Sequence, residues 1–140
     1  MALDTLEHQL IQHEGLTLKL YQDTVGKWTI GVGRNLSDIG ISQEEAMVLL
    51  TNDINAARAS VSRAFPWFPT LDAVRQRVLI DLSFNMGIGG LQGFVHMLSA
   101  VQRGDYDTAA EELLDSKWAS QVGVRATTLA YMLRTGAVPA

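Results

Sequence analysis

The spacing of apolar residues changes twice near the start of the chain. Leu3, Leu6, Leu10 and Ile11 recur at helical spacing, and one further turn from Leu10 lands on Glu14. Gly15 follows directly, as a C-cap glycine does, so the spacing predicts a helix from about Asp4 to Glu14 with Glu14 on its buried stripe. Leu16, Leu18 and Leu20 then alternate with Thr17, Lys19 and Tyr21, the period of a strand. The polar run Gln22-Asp23-Thr24-Val25-Gly26 makes a turn, and Trp28, Ile30 and Val32 alternate on the return, completing a β-hairpin. Asn35 to Gly40 is turn-rich and leaves room for a short third strand.

Beyond Ile41 the pattern is helical throughout. Ser42-Gln43-Glu44-Glu45 reads as a capping box. Behind it Ala46, Leu50, Ile54, Ala57, Val61 and Ala64 keep one apolar face, until Phe65-Pro66-Trp67-Phe68-Pro69 ends the helix. An almost wholly apolar helix is expected from Leu71 to about Met86, broken by Gly87-Ile88-Gly89-Gly90. This glycine cluster lacks the Lys-Ser/Thr ending of a phosphate-binding loop and reads as a turn. Three more helices are expected at about Phe94–Arg103, Tyr106–Lys117 and Val122–Arg134. The fold class is therefore α+β, mostly α-helical, in a single domain. A small lobe of about residues 12–41 carries the hairpin, and a linking helix spans about 42–64. A larger helical lobe of about 65–140 takes in the N-terminal helix.

Composition narrows the chemistry. A chain of 140 residues with 47% hydrophobic and 19% charged residues is globular and long enough to bury one core. It has no cysteine, so neither disulfides nor thiolate metal sites are available. His8, His13 and His96 have no spacing that gathers them around a metal, no G-x-S-x-G element is present, and no cofactor is expected. The N-terminal stretch has no basic region followed by a long apolar run, so neither a signal peptide nor membrane insertion is expected. The net charge of −4 argues against nucleic acid as a partner, and it gives no attraction towards an anionic cell wall.

Two carboxylates stand out by placement. Glu14 closes a helix on its apolar stripe, where desolvation and the negative end of the helix dipole both disfavour the ionised form, as suits a general acid. Asp23 lies at a hairpin tip expected to be solvated, where it stays ionised. Thr29 falls on the face opposite Trp28 and Ile30, with Gly31, whose missing side chain leaves room for a ligand. One carboxyl group in an apolar niche and one in a wet turn is the division that glycoside hydrolysis uses. By spacing alone, solvated surface carboxylates with no chemistry are the commoner occupants of such positions.

The text around them resembles the phage-type lysozymes, the endolysins of glycoside hydrolase family 24. HEGL, LYQDTVG and WTIGVG keep a Glu before Gly, an Asp nine residues on and a Thr six beyond that, here Glu14, Asp23 and Thr29. The likeness continues through LDAVRQRVLIDLSFNMGIGGLQGF, SKWASQ and VRATTLAYMLRTG. It implies that Glu14, Asp23 and Thr29 are catalytic and that Arg125 supports Glu14 by pairing with it. It further implies that Asn35, Phe84 and Asn85 touch substrate, while Trp118 is read as packing. Arg34 departs from the family, standing where many members have histidine.

The expected reaction is hydrolysis of the β-1,4 bond between N-acetylmuramic acid and N-acetylglucosamine in peptidoglycan. Glu14 protonates the leaving oxygen while Asp23 and Thr29 position the water, with inversion. The resemblance also implies a monomer that waits in the host bacterial cytoplasm, depends on a holin for release, and then acts in the periplasm on the cell wall. A non-catalytic peptidoglycan-binding or structural domain of the same fold is the alternative. Intact Glu14, Asp23 and Thr29 speak against it. Within the enzyme reading, the chain is expected to be a free endolysin instead of part of a tail machine.

Overall fold

A computed structural model describes residues 5–140 of the chain. Leu3 and Asp4, at the expected start of the first helix, lie outside the described residues. Helix α1 (Leu6–Glu14) begins where the Thr5 hydroxyl accepts the His8 N–H at 3.0 Å. It ends where Gly15, at φ 82°, donates its N–H to the Ile11 carbonyl. No described side chain of α1 is buried, and Leu6, Leu10 and Glu14 are exposed. The expected burial of Glu14 is therefore corrected: the glutamate is the last residue of the helix, one turn past Leu10, and nothing further along α1 covers it.

Three antiparallel strands follow in the order β1 (Thr17–Gln22), β2 (Trp28–Gly31) and β3 (Arg34–Asn35). Tyr21 pairs with Thr29 and Gln22 with Trp28, and a bulge interrupts the ladder between Thr17 and Tyr21. On the other edge of β2, Thr29 faces Asn35 and Ile30 faces Arg34. The alternation is thus the expected one, and the short third strand forms. What differs is which face is covered: Thr29 is 3% exposed, while Leu18 and Trp28 lie largely open.

Helix α2 (Gln43–Ala64) opens with the expected capping box. Glu45 N–H reaches the Ser42 hydroxyl at 3.1 Å, and Ser42 N–H reaches Glu45 Oε1 at 2.8 Å. The chain divides into two compact units, and the division falls inside α2: the first ends at Leu49 and the second is Leu50–Ala140. The first unit contains α1, which the sequence reading places with the helical lobe, together with the sheet.

The apolar core belongs to the second unit. A 3-10 turn (Phe68–Thr70) leads to α3 (Ala73–Gln92), α4 (Val95–Gln102), α5 (Tyr106–Leu114), α6 (Lys117–Val122) and α7 (Val124–Thr135). Val61, Val78, Leu79, Leu82, Leu91, Met97, Val101, Leu113 and Leu133 are wholly buried together, with α5 packed on α4 and α7. Each such side chain stabilises by ~1.5–3 kcal/mol.

Two expected stretches differ in part. The helix breaks after Met86 as expected, because Gly87 leaves helical geometry at φ 78°, but beyond that kink a second helical stretch runs to Gln92 where a turn was expected. Gly90 lacks the Cβ that would stand 2.8 Å from Met86 Cγ, so a larger residue there would make the Met86 side chain shift. The helix expected at Tyr106–Lys117 ends at Leu114, and α6, which was not expected, follows it because the Ser116 hydroxyl accepts the Ala119 N–H and caps a new helix. Among the described residues no single helix is long and apolar enough to cross a membrane.

Candidate active site

Glu14, Asp23 and Thr29 all belong to the first unit. Glu14 ends α1, and its carboxylate lies against the turn between β2 and β3. A Cβ added at Gly33 would stand 3.1 Å from Glu14 Oε2 and 3.6 Å from its Cδ. Gly33 sits at φ +69°, so it is glycine both for its backbone angle and for this approach.

Asp23 occupies the turn between β1 and β2 and uses one oxygen to build it. Its Oδ1 accepts the Val25 N–H at 3.0 Å and the Lys27 N–H at 2.8 Å. The backbone closes the same turn, with Asp23 N–H donating to Lys27 O at 2.9 Å and Gly26 N–H to Asp23 O at 3.1 Å. Its other oxygen, Oδ2, accepts no hydrogen bond from the described residues. Contrary to the expected solvated tip, Asp23 is half-buried while Glu14 is exposed. Burial does not separate the roles of the two acids.

Thr29 sits in the central strand between Tyr21 and Asn35, and its hydroxyl donates to the Lys27 carbonyl at 2.9 Å. The main chain of Lys27 therefore ties Asp23 to Thr29: its N–H holds the carboxylate and its C=O holds the hydroxyl. Side-chain spacing carries no signal for such a backbone role, and sequence reasoning missed it. Lys27 Nζ also pairs with Asp38 at 3.1 Å.

Asn35 is engaged locally. Its Nδ2 donates to Asp38 Oδ2, and its Oδ1 accepts the Asp38 N–H, both at 3.0 Å. These donors, Lys27 first and Asn35 next, hold the Asp38 carboxyl below its ordinary range. Arg34 forks onto Glu45, with Nη1 to Oε1 at 2.9 Å and Nη2 to Oε2 at 2.7 Å, and Nη1 also reaches the Gly40 carbonyl at 3.2 Å.

The remaining candidates lie in the second unit. Phe84 and Asn85 are exposed on α3, and Asn85 Oδ1 accepts the Trp118 indole N–H at 3.0 Å. Trp118 meets Phe94 edge-on with ring centres 6.4 Å apart, which fits its reading as a packing residue. Within this unit Arg125 binds Asp81, through Nε at 3.1 Å and Nη2 at 2.5 Å. Both line a hollow of about 600 Å³ with Ile80, Phe84, Leu129 and Met132. Asp81 was not singled out from sequence; the available signal was a lone carboxylate inside the apolar run VLIDLSF. Among the described residues no cluster of three or more His, Asp or Glu could hold a metal ion.

Comparison with known proteins bears on this arrangement. The sequence model of the phage lysozyme family matches residues 11–132. The chain is 29% identical to the pre-baseplate central spike protein Gp5 of Enterobacteria phage T4, over 94% of the chain but only 28% of that longer protein. It is 24% identical to probable T4-type lysozyme 1 of Dictyostelium discoideum, over 99% of the chain and 98% of the relative. An endolysin of Acyrthosiphon pisum secondary endosymbiont phage 1 is 30% identical over 88% of the chain and 84% of its own length. With the family match extending over most of its length, the chain belongs to the phage lysozymes and, through them, to the glycoside hydrolases.

Proposed function

We propose that this chain is a muramidase that cleaves the β-1,4 bond between N-acetylmuramic acid and N-acetylglucosamine in peptidoglycan, with inversion. The observation that carries the mechanism is the shared hold of Lys27 on Asp23 and Thr29. Thr29 donates its only hydroxyl proton to Lys27 O, so towards a water it acts as acceptor. Asp23 has Oδ1 occupied by two backbone N–H groups and offers Oδ2 as a second acceptor. A water that gives one hydrogen to each is left with a lone pair for the anomeric carbon. As it attacks, Asp23 takes its proton, Glu14 passes a proton to the glycosidic oxygen, and the bond to the leaving sugar breaks.

Asn35, Phe84 and Asn85 are read as substrate contacts and Arg125 as support for Glu14, on the strength of the family resemblance. The wider role is likewise read from the family resemblance: a monomer held in the host cytoplasm, released with the help of a holin, and acting on the wall to lyse the cell.

The test is release of reducing ends from purified peptidoglycan. Glu14→Gln keeps the shape of the side chain but cannot donate the proton, and general acid catalysis typically contributes ~10²–10⁴-fold. A folded Glu14→Gln protein within threefold of wild type would remove Glu14 from the mechanism. Wild-type protein that binds peptidoglycan but releases no reducing ends would be a binding domain.

A further inference from the structure

Glu14 lies beside a turn that is itself anchored. Its Oε2 packs against the bare Cα of Gly33. The next residue, Arg34, is tied by two parallel hydrogen bonds to Glu45 and by a third to the Gly40 carbonyl. Glu45 is in turn fixed by the capping box at the start of α2. The fork fixes direction as well as distance, because a planar guanidinium meets a carboxylate edge to edge. The hydrogen bonds from Arg34 and then the Ser42 N–H hold the Glu45 carboxyl down to about 2, so the pair is charged at neutral pH.

We infer that Arg34 and Glu45 are positioning residues: they hold the Gly33 turn in the one place that sets where the Glu14 carboxyl points. Arg34 touches neither acid nor substrate in this account; it acts through Gly33. The inference rests on the muramidase reading, with Glu14 as the acid.

Two kinds of variant separate positioning from simple stability. Gly33→Ala both strains the backbone and adds a Cβ against Glu14. Gly33→Asn adds the same Cβ but tolerates positive φ far better. If only strain mattered, Asn would restore activity along with folding. For the clamp, Arg34→Lys keeps the charge but loses the fork, and Glu45→Gln keeps the capping box but loses the charge. With soluble peptidoglycan fragments as substrate and thermal melts as the folding control, Gly33→Asn and Arg34→Lys should each lower kcat by ~10–100-fold with KM within about twofold, the size of loss a small displacement brings. Glu45→Gln should show the same split to a smaller degree, and it carries the test if Arg34→Lys does not fold. Folded Gly33→Asn, or folded clamp variants, with kcat within twofold of wild type would overturn the inference while leaving an inactive Glu14→Gln, and so the muramidase reading, intact. Wild type without muramidase activity would overturn both.

Discussion

Thr29 has two jobs, and they can be pulled apart. Its hydroxyl fills the Lys27 carbonyl, and in the proposed mechanism the same oxygen accepts a hydrogen bond from the attacking water. Thr29→Val removes both, but the Lys27 carbonyl keeps the Asp23 N–H, so the cost in stability is ~0.5–1.5 kcal/mol. Thr29→Ser keeps the oxygen and loses only a methyl group. Turnover should therefore fall ~10–100-fold in Thr29→Val and stay within a few-fold of wild type in Thr29→Ser. The stereochemistry tests the same water. Inversion gives the α anomer first, with carboxyl groups ~6.5–9.5 Å apart; a covalent intermediate on Asp23 would give the β anomer. Proton NMR of fresh product, read before mutarotation, distinguishes them, and mainly β product would take the water away from Asp23 and Thr29. The identities of these residues were legible from intervals and resemblance. Their environments were not, because burial comes from what packs around a residue: Glu14 is open and Asp23 half-covered.

At the level of elements, the end of α7 is secured from another helix. Arg75 on α3 donates Nε to Leu133 O at 2.7 Å and Nη2 to Arg134 O at 3.1 Å, pairs with Asp72 at 3.0 Å, and lies 3.5 Å over the Tyr106 ring. These carbonyls belong to the last turn of α7, where no intrahelical donor remains. Arg75→Ala should cost roughly 2–3 kcal/mol, as hydrogen bonds to a charged group are lost with the cation–π contact. A chemical melt would check it, and a change below about half a kcal/mol would show that water substitutes for the guanidinium. No sequence period announces such a staple, since it joins residues 58 and 59 positions apart. The elements themselves were largely readable: the α2 capping box, the hairpin and the α7 stop at Gly136 rest on local chemistry. The break at Gly87 was legible too; what was missed lies beside the breaks, the helical stretch after Gly87 and the short α6 that the Ser116 cap starts where no helix was expected.

Charge is a property of the whole molecule, and it is unevenly shared. Residues 1–49 hold seven Asp and Glu against three Lys and Arg, a net −4, whereas residues 50–140 hold eight against eight. The entire net charge of the chain therefore sits on the unit that carries Glu14, Asp23 and Thr29. An anionic wall would be repelled most by that unit, so encounter and not chemistry would suffer. The field can be changed without touching the site. Glu7→Gln with Glu44→Gln takes the first unit from −4 to −2, while Glu111→Gln with Asp115→Asn makes the same change to the whole chain from the second unit. Glu7 and Glu44 lie in the first turns of α1 and α2, where each loss costs ~0.3–1 kcal/mol, so melts should precede kinetics. At low salt the first pair should speed digestion of intact walls by roughly two- to tenfold and the second by less. Near 0.1 M salt, where the Debye length is ~10 Å, the difference should fade. On short uncharged fragments of the glycan neither pair should matter at any salt. Equal gains from both pairs would mean that only total charge counts, and no gain at any ionic strength would mean that encounter with the wall does not limit this enzyme.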